Sequence, residues 1–285
     1  MTKMKNWRCF FNILVVLLSL VVDFSDTQLV INVRNQGGDV VQENIFANVT
    51  DDTVSLEFQR SDGTLITQVI DFRNEVQIVK ALILGEEERG QSQYQVVCFI
   101  FHFDKDSFIS SDAMSKLRQK NPGTIRTPEE DLGRTNYTMD YTVVLPHSGL
   151  ISPFISDLCA EAGEATYTRH ADLVLWAAAQ GIPETTYLTA LKKFPSSVNH
   201  FMSNSVEDDV RPSVSSCTNM KKMRSPCQCH LELCIGWYPC GLKYCKGKGQ
   251  SKNSVMTYRC GIKTCRKCHL FAYYVAQKQQ CLWDE

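Results

Sequence analysis

Short runs rich in Val, Ile and Phe, separated by turn chemistry, dominate the first hundred residues. The runs are 28–34 (QLVINVR), 40–50 (VVQENIFANVT), 53–60 (TVSLEFQR), 64–72 (TLITQVIDF), 75–85 (EVQIVKALILG) and 94–103 (YQVVCFIFHF). Between them lie Gln36-Gly37-Gly38-Asp39, Asp51-Asp52, Ser61-Asp62-Gly63 and Glu86 to Gly90. β-branched and aromatic residues bounded by Gly and Asp predict strands joined by hairpins, hence an antiparallel meander. The pattern then changes. Residues 110–121 start on a Ser or Asp cap and stop before Pro122-Gly123, which predicts a short helix. Residues 137–145 predict another strand. Residues 164–181, rich in Ala and Leu and ending at Gly181-Ile182-Pro183, predict the clearest helix. An antiparallel sheet with about two helices places this part in the α+β class, ahead of a small disulfide-rich domain.

The N-terminus has a different layout. Lys3, Lys5 and Arg8 precede an apolar run from Phe10 to Val22, broken only by Asn12 and Ser19, and a polar exit follows. That order predicts a secretory signal peptide over 1–26. The run is thirteen residues, against roughly 20 for a helical membrane span. The expectation is therefore a secreted, extracellular mature chain with no membrane span.

Cysteine and charge then divide the remainder. Ten of the thirteen cysteines fall between Cys217 and Cys281, whereas residues 28–210 hold only Cys98 and Cys159. Residues 211–285 carry 13 Lys+Arg against 3 Asp+Glu, net +10, and residues 28–210 carry 14 against 26, net −12. The near-neutral total hides two opposed halves. Between them, residues 201–216 are rich in Ser and acidic residues and contain Pro212, the composition of a linker. The expected division is a first domain over 28–200, the linker, and a Cys-rich domain over 217–285.

Three chemistries compete for the tail's sulfurs. Cys265-Arg266-Lys267-Cys268-His269 matches the C-x-x-C-H haem attachment pattern. Cys227-Gln228-Cys229-His230 together with Cys265 to His269 offers a mixed zinc set. Disulfides are the third. An oxidising compartment favours disulfides, and removal of Cys9 with the signal leaves an even twelve. On that reading Cys217, Cys227, Cys229, Cys234, Cys240, Cys245, Cys260, Cys265, Cys268 and Cys281 pair among themselves, and neither cofactor nor metal is expected.

Taken from LVINVRNQGGDVVQENI through PCQCHLELCIGWYPCGLKYC, the mature chain resembles the out at first family, secreted animal proteins with a BRICHOS-like part and a Cys-rich tail. The first part resembles the BRICHOS domain through LITQVIDFRNEVQIV, YQVVCFIF and ISDLCAEA. This resemblance implies a BRICHOS-type acid at Asp71 and a bond between Cys98 and Cys159. It also implies chaperone-like holding of extended, β-prone segments, with strand addition as the physical rationale. The plain alternative for Asp71 is a solvated turn carboxylate beside Arg73 and Asn74.

No G-x-S-x-G, H-E-x-x-H, Walker or G-x-G-x-x-G motif occurs, so no catalytic function is expected. His102 and Asp104 would share a strand face, but His102 reads as a half-buried sheet residue, and His170 reads as helix packing against Tyr167 and Val174. Asn48-Val49-Thr50 and Asn136-Tyr137-Thr138 are glycosylation acceptors. Basic residues Lys221, Lys222 and Arg224, with Lys243, Lys246, Lys248 and Lys252, suggest sulfated glycosaminoglycan outside the cell and argue against nucleic acid there. The expected function is a secreted, non-enzymatic binding protein in extracellular developmental signalling or protein quality control. Its partner would be an extracellular protein, a β-prone peptide or a sulfated glycosaminoglycan. The alternatives are a thiol–disulfide redox protein using Cys265 and Cys268, or an intracellular zinc-dependent nucleic-acid binder.

Overall fold

The computed structural model describes residues 27–194, 215–248 and 255–282. Strands β1 (Thr27–Arg34), β2 (Val40–Asn48), β3 (Thr53–Gln59), β4 (Leu65–Asp71), β5 (Val76–Leu84) and β6 (Tyr94–His102) pair antiparallel in chain order. Alternation drives this: Val54, Leu56 and Phe58 of β3 are buried on one face while Ser55 and Glu57 point away. The turn before β3 places Asp52 at a φ of 55°. The Asn48 side chain holds that turn by accepting from Thr50 N and Asp51 N, an Asx arrangement suited to such backbone.

The sheet then grows at both ends. Short β7 (Ile125–Arg126) runs parallel to β1, beyond β8 (Glu130–Thr138) the chain returns as β9 (Tyr141–Val143), and β10 (Thr166–Thr168) lies parallel to β6. The last strand is β11 (Leu191–Lys193). The resulting ten-stranded sheet has the order β11-β9-β10-β6-β5-β4-β3-β2-β1-β7 and mixes parallel with antiparallel pairs. The expectation of an α+β fold, with an antiparallel sheet and about two helices, is therefore corrected: the chain is mostly β, with a large mixed sheet and a disulfide-rich C-terminal region.

Helix is confined to short pieces for local reasons. Helix α1 is only Ser111–Ser115, capped by Ser110 Oγ accepting from Ala113 N. The expected helix at 164–181 loses its first turn to β10, because Thr166 and Tyr167 pair with Cys98 and Phe99. After the short helix α2 (Phe154–Leu158), helix α3 begins at His170 and ends at Gln180, where Gly181 takes a φ of 65°. Among the described residues only one further α-helix follows, the four-residue α4 (Glu184–Tyr187). The strand expected at 137–145 is divided between two sheets, since β8 and β9 belong to different ones.

The second sheet has three strands. β12 (Cys227–Lys248) and β13 (Val255–Val275) form a long antiparallel hairpin, and β8 lies parallel to β13. One half of this hairpin packs on the face of the large sheet. Phe271 stacks on Phe99 with centroids 4.2 Å apart and planes 1° from parallel, and it also touches Phe101 and Tyr137. Residues of the first region and the tail thus share one hydrophobic core. A smaller core covers the opposite face near β5 and β6, where Ile155 of α2 and Leu173 and Trp176 of α3 pack on Val76, Ile78 and Ile100. The 1–26 signal segment and most of the 201–216 linker lie outside the described residues.

Candidate functional site

Among the described residues the twelve cysteines fall into six disulfides. Cys98 bonds Cys159, tying β6 to the end of α2 across a separation of 61 residues, a closure worth about 4 kcal/mol in the chain-entropy picture. In the tail the pairs are Cys217–Cys227, Cys229–Cys281, Cys234–Cys268, Cys240–Cys265 and Cys245–Cys260. Cys265 and Cys268 therefore join different partners on β12 and do not form an exchangeable C-x-x-C pair. Glu232, Cys234 and Cys268 bring donor atoms within 4.8 Å of one another, but the two sulfurs are bonded to each other. His269 sits between Phe101, Tyr137 and Phe271, and burial pushes its pKa down to about 3. A neutral ring enclosed by aromatics serves the core.

Asp71 is neither solvated nor at a free surface. It is fully buried, accepts from Asn74 N and Nδ2, and accepts from Ser152 Oγ at 2.7 Å. Its carboxylate closes the β4–β5 turn and ties it to the segment preceding α2. Asn48 donates its Nδ2, the nitrogen that a glycan would take, to Asp51 Oδ2 at 2.7 Å. Asn136 is exposed on β8. His102 faces Glu75 at 3.3 Å, whereas Asp104 accepts from Asp106 N, and the two do not converge on a common site. The ring of His170 stacks on Tyr141.

The two opposed charges meet along β8. Glu129, Glu130 and Asp131 pair with Lys243, Lys263 and Arg266 of the hairpin. Backbone donation from Gly133, then the Arg266 guanidinium, hold the Asp131 carboxyl below its ordinary range against partial desolvation. This row consumes part of the tail's positive charge. Among the described residues, the exposed cations that remain stand at the hairpin's two ends. Lys221, Lys222 and Arg224 are exposed in a loop before β12, fastened where Lys278 N and Gln279 N donate to Ser225 O and Met223 O.

The far end carries a different group. Tyr244, Met256 and Tyr258 are 63%, 59% and 53% exposed, beside exposed Lys246 and Arg259. From the register, Tyr244, Lys246 and Arg259 share one face, and Tyr258 and Met256 share the other. The Tyr258 ring lies over Gly247, where a Cβ would come within 3.1 Å of it. Cys245–Cys260 cross-links the arm. At 3.3 Å per residue, roughly 50 Å of strand separates this cluster from Lys221 to Arg224. The tail's cations are thus not one patch. Tyr244, Tyr258 and Arg259 were not evident as site residues, although Tyr and Lys alternate at 244 and 246. Among the described residues, no ion pair engages Lys246 or Arg259.

A separate cleft of about 550 Å³ opens beside β11, lined in part by Val143, Leu145, Tyr167, Phe194 and Tyr274.

Two family models match the chain. One described as "Out at first" covers residues 27–176, and one described as "Out at first, C-terminal" covers residues 216–285. The out at first protein of Drosophila virilis is 56% identical over 276 residues, covering 94% of this chain and 86% of that protein. The out at first protein of Drosophila melanogaster is 54% identical over 291 residues, covering 99% of this chain but 57% of the fly protein, so this chain spans little more than half of that relative. No solved structure matches.

Proposed function

The chain belongs to the out at first family, and from that premise we propose that it is a secreted, non-enzymatic binding protein whose hairpin arm engages sulfated glycosaminoglycan. The observation that carries this reading is the far end of the hairpin, where exposed tyrosines and uncommitted cations stand on a disulfide-linked ribbon. Tyrosine faces stack on sugar rings, and Lys246 and Arg259 supply charge for sulfates. Arginine suits this task because its planar fork matches an anion's oxygens. Six disulfides support an extracellular setting, since such bonds persist in oxidising compartments. No helix among the described residues is long and apolar enough to cross a membrane.

The apolar cleft beside β11 favours a second reading. β11 ends the large sheet, and an extended β-prone segment could add to it main chain to main chain while its side chains enter the cleft.

Heparin chromatography of the full chain separates the two. On the first reading, Lys246→Ala with Arg259→Ala moves elution to clearly lower salt, and Tyr244→Ala with Tyr258→Ala moves it further. Lys221→Ala, Lys222→Ala and Arg224→Ala together produce a smaller shift. Elution unchanged by the arm substitutions removes the glycan reading. Suppression of a β-prone peptide's aggregation by the same unshifted protein then favours the cleft.

A further inference from the structure

We propose that Cys234–Cys268 is a thiol–disulfide exchange site, opened selectively by a dithiol reductant while the other five disulfides stay closed. The two cysteines are directly opposite each other on β12 and β13, and their Cα atoms are 4.0 Å apart. The other five pairs span 4.9 to 5.9 Å. Disulfides usually need about 4.4–6.8 Å between Cα atoms, and departures make the bond easier to reduce. Even the narrow pairs of an antiparallel ladder sit at about 4.5 Å. The ladder therefore holds these residues closer than a relaxed bridge prefers.

Access and charge act at the same place. Cys234 is half-buried and lines a pocket of about 280 Å³ that also receives Arg266. Arg266 Nη2 donates to Cys234 Sγ at 3.2 Å, while its Nη1 is held by Asp131 at 2.8 Å. The fixed Arg266 guanidinium offsets the Glu232 carboxylate, which lines the same pocket within 4.8 Å of both sulfurs, and favours the thiolate that later forms at Cys234. Cys268 is almost fully buried, so attack falls on Cys234.

The steps balance within one dithiol. A reductant thiolate attacks Cys234 Sγ, forming a mixed disulfide, and the electron pair of the broken Cys234–Cys268 bond leaves on the Cys268 sulfur, which takes up a proton from solvent. The reductant's second thiol, deprotonated, then attacks its own sulfur in the mixed disulfide. Cys234 is released as a thiolate beside Arg266, and the reductant departs as a cyclic disulfide carrying the two electrons' worth of oxidation. Leu233, Ile235 and Phe271 stay buried in the shared core on either side of the bridge, so the hairpin remains docked when the bond opens.

The intact protein is incubated with graded dithiothreitol, quenched, alkylated and mapped by mass spectrometry, with near-ultraviolet circular dichroism followed in parallel. Cys234 and Cys268 should be labelled at the lowest reductant concentration, at least threefold below that needed for any other pair, with the dichroism retained. Cys245–Cys260 is the informative rival because Cys260 is exposed. If that pair opens first, exposure governs and the proposal fails. Simultaneous opening of all six with loss of dichroism means opening by unfolding, and also overturns it. In Arg266→Gln, opening of Cys234–Cys268 should slow about threefold or more relative to Cys245–Cys260, and an unchanged ratio removes the arginine's part.

Discussion

The near and far halves of the C-terminal hairpin are made of the same two strands but live in different surroundings. In the near half, Cys229, Leu231, Leu233, Ile235 and Trp237 of β12 are all buried, every second residue facing the large sheet, and Phe271 and Tyr273 of β13 meet the same core. In the far half Tyr244, Met256 and Tyr258 stand in solvent, while Arg259 and Gly261 line a cleft with Leu29 and Ile31 of β1. Burial holds the near half, at about 1.5–3 kcal/mol for each large apolar side chain. Backbone pairing and Cys245–Cys260 hold the far half. Aromatics that folding does not need are the ones free for a partner.

The largest difference is expected from Phe271→Ala, which empties the stack on Phe99. Loss of a buried Phe costs about 3–5 kcal/mol, read as a lower urea midpoint at unchanged slope. A change no greater than that of a far-half substitution would erase the distinction between the halves.

Next in size is a pH effect at the contact between the near half and β2. Glu43 is fully buried, with its carboxyl accepting from Gly236 N and Trp237 N. Desolvation by burial outweighs those two donations and raises its pKa to about 8. The folded state therefore keeps a proton that the unfolded chain releases from about 4.5 upward. This contribution is fully present below pH 4.5 and is lost by about pH 8, at about 1.4 kcal/mol per unit, on the order of 3–5 kcal/mol in all. Denaturant midpoints across that window should fall with rising pH in the wild type and fall less in Glu43→Gln. Parallel curves would show that Glu43 does not titrate in this way.

Gly236→Ala should have a smaller effect. A Cβ there would lie 2.8 Å from Val33 Cγ1 and 3.2 Å from Glu43 Oε1, and Val33 is itself buried. Overpacking of this kind costs about 1–3 kcal/mol. Thermal melts should register it, whereas Gly247→Ala, in the far half, should cost less. Smallest of all is Tyr258→Ala, expected within about 0.5 kcal/mol as an exposed substitution. A larger loss would mean that the arm's aromatics serve stability.

The first six strands were legible to within two residues because alternation and turn chemistry agree there. Other features were not. β10 lies in a stretch rich in helix formers, and pairing with β6 on one side and β9 on the other makes Thr166 to Thr168 a strand. The neighbours of Asp71 suggested solvent, since the Ser152 that helps bury it is 81 residues away. Glu43 occupies an inward position of β2 that polarity alone assigns outward; the amides of Gly236 and Trp237, some 190 residues on, meet it there. The tail's strands were hidden because cysteines fill inward positions such as 227 and 229 and lysines fill outward ones. Tyr244 and Tyr258 could not be separated from core tyrosines such as Tyr273 without knowing where the supporting sheet stops.

Native-state amide hydrogen exchange of the intact, oxidised chain tests most directly whether the near half belongs to the main core and the far half is a surface arm. Amides of Leu231 to Ile235 and of His269 to Tyr273 should exchange only with global unfolding, alongside those of β5 and β6. Amides of Lys243 to Gly247 and of Met256 to Gly261 should exchange through local opening, at rates at least tenfold faster. Exchange of the whole hairpin as one unit, at a free energy distinct from that of the large sheet, would contradict the account.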